Sequence, residues 1–168
     1  MNLKAIPSML SMIPSLARGV TLEDLDRIKR IVRTAFPSVK QVSPKTLSEW
    51  QLENPNILLI DVRSPREFDV SHLRSAINAR SPAEIVKAII ERKPSKTVLY
   101  CSVGFRSSQL TTKLPAGLGD EIYNLEGSIF QWANEGRALF RNDIPVSSVH
   151  PYGRKWGGLL IAERRAKT

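Results

Sequence analysis

Thr97-Val98-Leu99-Tyr100-Cys101-Ser102-Val103-Gly104-Phe105-Arg106-Ser107-Ser108 decides how the rest of the chain is read. It opens as a short apolar, β-favouring run, which predicts a buried strand. It then meets the only cysteine of the protein. A compact loop follows, in which Gly104 can take backbone angles closed to other residues. Arg106 closes the loop. Ser107 and Ser108 are candidate N-caps, and Gln109 to Leu114 is expected to continue as a helix with Leu110 and Leu114 on one face.

That order of residues has a chemical consequence. Cys101 would lie among loop amides, near a helix N-terminus and beside a guanidinium, and each of these favours a thiolate over a thiol. A free cysteine titrates near ~8.5, and such surroundings lower it by roughly one to several units. The loop therefore suits a thiolate, or an anionic sulfur attached to it. A lone cysteine at the end of a core strand is more often an inert apolar residue. Here Cys, Gly, Arg and Ser-Ser share one strand-loop-helix junction, which favours the reactive reading. That reading needs a thiol that small molecules can reach; one sealed from solvent would leave only the scaffold.

At 168 residues the chain suits one domain with some extension, and 42% hydrophobic residues allow a proper core. A net charge of +9 would draw nucleic acid, an anionic surface or small anionic substrates. Aromatic residues are only 7% and do not interleave with the basic ones, so no nucleic-acid partner is expected. One cysteine excludes an internal disulfide and a cysteine-rich metal site, and fits a reducing, cytoplasmic setting. Neither a metal nor a cofactor is expected. Any sulfur carried on Cys101 must be discharged to an external nucleophile. No stretch approaches the ~20 apolar residues that span a bilayer.

Three segments are expected: an arm and amphipathic helix over 1–40, a main domain over 41–142, and a docking tail over 143–168. Residues 1–20 contain no acid and are interrupted by Pro7 and Pro14. They faintly resemble a targeting segment but read better as an apolar arm, packed on the domain or on a second copy, which makes a homodimer through the arm one expected assembly. Leu22, Leu25, Ile28, Val32 and Ala35 then recur at helical spacing after Thr21, the expected cap. Further on, Ile57 to Val62 reads as a central parallel strand, with Asp61, Arg63, Arg66 and Glu67 able to pair locally. Short strands at 41–43, 76–78 and 122–125 alternate with helices from Ser43-Pro44, Ser81-Pro82 and Gly127. The tail carries Trp156, Leu159, Leu160 and Ile161. Alternation of this kind implies an α/β fold, a central parallel sheet with helices on both faces and an added N-terminal helix. Ligands of such sheets bind beyond the carboxyl ends of the strands, where Cys101 falls.

The chain resembles the single-domain rhodaneses, a family of sulfurtransferases, on three motifs in the family's order. They are Leu59-Ile60-Asp61-Val62-Arg63-Ser64-Pro65-Arg66-Glu67-Phe68, then Val98 to Ser108, then Tyr123-Asn124-Leu125-Glu126-Gly127-Ser128 leading to Trp132 and Gly136. The resemblance implies a rhodanese-like three-layer sandwich. It implies that Cys101 takes a sulfane sulfur from a small anionic donor such as thiosulfate and holds it as a persulfide. An external thiol or cyanide then removes it. The loop Ser102, Val103, Gly104, Phe105 and Arg106 would surround the sulfur, Arg106 would add charge for the donor, and Asp61, Arg63 and Ser107 would support the site. The chain departs from the family at Ser71 and Ser75, where glycines are usual, and at Ser128, where a second glycine is common.

Two alternatives carry weight. Related cysteine-dependent phosphatases and arsenate reductases use a loop one residue longer, whereas four residues separate Cys101 from Arg106 here. The other alternative keeps the rhodanese fold as a non-catalytic binding or regulatory module.

Overall fold

The computed structural model describes residues 21–53, 56–118 and 121–167. The arm over 1–20, and with it the expected homodimer contact, lies outside the described residues. Five strands form one parallel sheet: β1 (Lys40–Val42), β2 (Ile57–Asp61), β3 (Ile77–Asn78), β4 (Lys96–Tyr100) and β5 (Ile122–Leu125). Their spatial order is β1-β5-β4-β2-β3. In register, Asp61 lies beside Tyr100 and Leu99 beside Asn124, so the carboxyl ends of the central strands converge on one rim.

Alternation along the two central strands explains why they read as unbroken apolar runs. Leu59, Val98 and Tyr100 face one core; Leu58, Ile60, Leu99 and Cys101 belong to the other. A strand covered on both faces has no solvent side to make polar. The first core is closed by helices α1 (Asp24–Ala35), α2 (Pro44–Glu53) and α6 (Ser128–Asn134), which contribute Leu25, Ile28, Leu47, Ile129 and Phe130. The second is closed chiefly by α4 (Pro82–Arg92), through Ile85, Ala88 and Ile89, with Leu110 of α5 (Phe105–Thr111) packed against it.

The segments outside the central domain dock on the first core. Leu25, Ile28 and Val32 of α1 are buried there, and Arg33 pairs with Glu126 at 2.7 Å. Val149, Trp156, Leu159 and Leu160 of the tail enter the same cluster. The tail's two short 3-10 helices are Trp156–Leu159 and Ala162–Arg164. Between core and tail lies a hairpin not anticipated from the sequence, β6 (Leu139–Arg141) and β7 (Ile144–Val146). Asn142 and Asp143 at its tip have φ of 49° and 62°, the left-handed pair that a tight hairpin turn demands.

Three local expectations need correction. The helix after the cysteine loop starts at Phe105 with Gly104 as its N-cap, so Ser107 and Ser108 are buried inside it and cap nothing. It ends at Thr111, short of the expected Leu114. Thr21 does not cap α1: Glu23 holds that position, and the Thr21 N–H donates to the Asp24 carboxylate at 2.8 Å.

Helix α3 (Pro65–Val70) is anchored by a reciprocal cap, Ser64 accepting from the Glu67 N–H and Glu67 accepting from the Ser64 N–H. Just before it, Asp61 and Arg63 form a wholly buried pair at 2.6 Å. Arg63 Nη2 also donates to the Ser71 carbonyl at 2.6 Å. Asn78 ties down the same strand end, donating to the carbonyls of Asp61 and Arg63. Removing one member of such a pair strands a charge in the core. Arg63→Met is therefore expected to cost about 3–5 kcal/mol in urea unfolding, and adding Asp61→Asn should recover part of the loss.

Candidate active site

The loop between β4 and α5 turns at Gly104, whose φ of +99° suits glycine. A Cβ there would come to 3.0 Å from Asn124 Nδ2, so the Asn124 side chain on β5 would also have to give way. The Gly104 N–H points back at Cys101 Sγ, 3.2 Å away. Beneath the loop, the Ser128 hydroxyl accepts the Cys101 N–H at 3.1 Å and donates to the Leu125 carbonyl at 3.1 Å. Serine in place of the family's glycine thus takes a left-handed φ of 52° and supplies a bond that glycine has no atoms to make. Of the other two departures, Ser71 is extended and needs no glycine, while Ser75 carries a left-handed φ of 58°.

Burial opposes charge on Cys101, but the Arg106 guanidinium, Ser107 and the Gly104 N–H outweigh it and hold the thiol below its ordinary value. The Ser107 hydroxyl has one proton, and Asn124 Oδ1 lies 2.5 Å from its oxygen. The Gly104 N–H donates to the sulfur at 3.2 Å, and the Ser107 N–H also favours the thiolate. At the start of α5 the N–H groups of Phe105 and Arg106 have no acceptor within the helix, as helix geometry requires.

Arg106 is not a bare cation. Its Nη2 donates to Glu67 Oε1 at 2.8 Å and its Nη1 to Glu67 Oε2 at 3.1 Å. Nη2 also lies 2.9 Å from Ser102 Oγ. Burial would raise the Glu67 carboxyl, but Arg106 and the Ser64 cap bring it down to about 2. The Glu67 pair and the thiol together hold Arg106 firmly protonated against its own burial.

The structure therefore brings Cys101, Ser102, Gly104, Arg106 and Ser107 together. The side chains of Val103 and Phe105 point into the first core, Phe105 edge-on to Phe36 with ring centres 5.0 Å apart, which leaves their backbone to face the loop. Asp61 and Arg63 brace the rim of β2, with Arg63 reaching Ser71 and facing the Tyr100 ring. His72 is structural: its Nδ1 lies 2.9 Å from the Leu73 carbonyl and its ring stacks on Phe68. Glu67, Ser128 and Tyr152 were not among the expected site residues. Glu67 both caps α3 with Ser64 and holds Arg106, and neither duty was read from the sequence. The expectation of a reachable thiol is not met in this conformation: Cys101 is buried, with 1% of its surface exposed.

Comparison with known proteins agrees with this geometry. The rhodanese-like domain model matches residues 43–135. A probable adenylyltransferase/sulfurtransferase MoeZ of Mycobacterium tuberculosis is 32% identical over 97 residues, 56% of this chain but 24% of that protein. A crystal structure of a rhodanese-related protein from Thermoplasma volcanium is 27% identical, with a TM-score of 0.50, and covers 60% of this chain and 97% of that one. A thiosulfate sulfurtransferase from Pseudomonas aeruginosa shares the fold, with a TM-score of 0.58 at 14% identity over 73% of this chain and 23% of that one. The protein belongs to the rhodanese-like domain family.

The Glu67 carboxyl gives a pH signature. Its pKa is depressed in the folded state, so its contribution is complete above the ordinary 4.5 and is lost as pH falls from there to about 2. The contribution is on the order of 3 kcal/mol. Denaturant titrations from pH 6 downward (about 4 units) should show this loss in the native protein, and Glu67→Gln should flatten it.

Proposed function

We propose that the protein is a sulfurtransferase in which Cys101 carries one sulfane sulfur as a persulfide. The observation that carries this reading is the thiol held below its ordinary pKa by Arg106, Ser107 and the Gly104 N–H, 3.2 Å from sulfur. The family membership and the sulfurtransferase named among its relatives support it.

The steps balance without an outside oxidant. The Cys101 thiolate attacks the outer sulfur of a donor such as thiosulfate. The donor's S–S bond breaks, and sulfite leaves with the bonding pair. The terminal sulfur of the persulfide is then attacked by an acceptor thiolate or cyanide, and Cys101 recovers its thiolate. Gly104 and Ser107 N–H groups would stabilise charge on the carried sulfur. Because Glu67 already holds both outer nitrogens of the Arg106 guanidinium, Arg106 acts by its fixed field more than by an open clamp on the donor. The protein takes a small anionic donor in a reducing compartment such as the cytoplasm, its one thiol leaving discharge to an external thiol or cyanide.

The burial of Cys101 favours a second reading, a module that keeps the fold and binds without turning over. Intact-mass spectrometry separates the two. Incubation with thiosulfate should add the mass of one sulfur, removable by dithiothreitol and absent in Cys101→Ser. A native protein that gains no mass from thiosulfate or polysulfide leaves the binding module.

A further inference from the structure

We propose that the loop 150–155, beyond the region that matches the family model, is the outer wall of the Cys101 site, and that Tyr152 sets the size of the molecules that reach the thiol. The proposal rests on Cys101 being the reacting group.

The Tyr152 ring lies over the Arg106 guanidinium, 4.6 Å from ring centre to Cζ. That guanidinium bonds Ser102, the residue next to Cys101, and its charge acts on the thiol. Tyr152 is about half exposed, so its ring lies over Arg106 at the surface without belonging to the core. Its φ is 64°, a conformation that bulky residues rarely adopt. A glycine would take this backbone without strain, so the position keeps tyrosine at a cost, and what it gains is the ring over Arg106.

The loop is held at both ends. On one side Val149 is fully buried and its N–H donates to the Arg164 carbonyl at 2.7 Å. On the other, Trp156 is buried and meets the Tyr152 ring edge-on, with centres 6.2 Å apart. Asn134 then clamps the tail to α6, donating to the Leu159 carbonyl at 2.7 Å and accepting from the Ile161 N–H at 3.0 Å. The tip between these anchors carries Tyr152, with Arg154 and Lys155 exposed beside it. Cys101 is closed over in this conformation, so any reagent needs an opening, and a large one must lift the ring off the guanidinium where a small one need not. A ring-cation contact of ordinary strength makes that worth roughly tenfold in rate.

Because the protein has one cysteine, every alkylation reads Cys101. Rates with iodoacetamide and with the bulky, uncharged N-(1-pyrenyl)maleimide would be compared in native protein, Tyr152→Phe and Tyr152→Gly. Tyr152→Gly should raise the pyrenyl rate about tenfold with little change in the iodoacetamide rate. Tyr152→Phe should behave as native, and Tyr152→Gly should not melt lower, since it relieves the left-handed backbone. A ratio unchanged in Tyr152→Gly, or both rates raised equally, overturns the proposal. A changed ratio in a protein that gains no sulfur from thiosulfate upholds the wall and removes the transfer reading instead.

Discussion

The Glu67–Arg106 pair is the interaction on which the site's geometry depends. Glu67 is nearly buried, at 4% exposed, and its carboxylate gathers the Ser64 cap, the Ser102 hydroxyl and both outer nitrogens of Arg106. Those partners come from α3, the cysteine loop and α5. One carboxylate therefore ties three elements at the rim of the sheet. A long arginine side chain left to itself loses rotamer freedom when it is fixed. Here the fork is held at two points, so the charge beside Cys101 stays where the loop needs it.

That arrangement has an electrostatic corollary. Glu67 cancels most of the Arg106 charge as seen from a distance, while the guanidinium still favours the thiolate at Cys101. With a thiolate present, the three groups together carry one net negative charge. The Gly104 and Ser107 N–H groups must then contribute much of the compensation, because burial works against any anion here. A tight loop turned by Gly104 is the way a short segment can aim successive amides inward.

Much of this was legible in the sequence. The apolar runs at 57–62 and 97–100, the Ser-Pro helix starts and the Cys-x4-Arg spacing gave the sheet, its helices and the thiol. What escaped is non-local. Ser107 and Ser108 have the chemistry of N-caps, but the left-handed Gly104 starts the helix earlier and buries them. The β6–β7 hairpin around Asn142-Asp143 was not anticipated, and its Phe140 bridges to His72 across the fold. Glu67 bonds locally to Ser64, three residues away. Its bond to Arg106 spans 39 positions and leaves no periodic trace. The enclosure of Cys101 is likewise a product of packing.

The segments flanking the family region do more than cover it. Phe36, before the matched residues, packs its ring against Phe105. Tyr152, after them, lies on Arg106. Two consecutive residues at the start of α5 are thus gripped from opposite ends of the chain. Phe105 is anchored into the first core, where α1 and the tail are themselves buried. Rotation of the first turn of α5 would have to pull Phe105 off Phe36 and Arg106 out from under Tyr152 together. The backbone of that turn presents the amides that face the sulfur. The flanks therefore hold the orientation of that one helical turn from both ends of the chain.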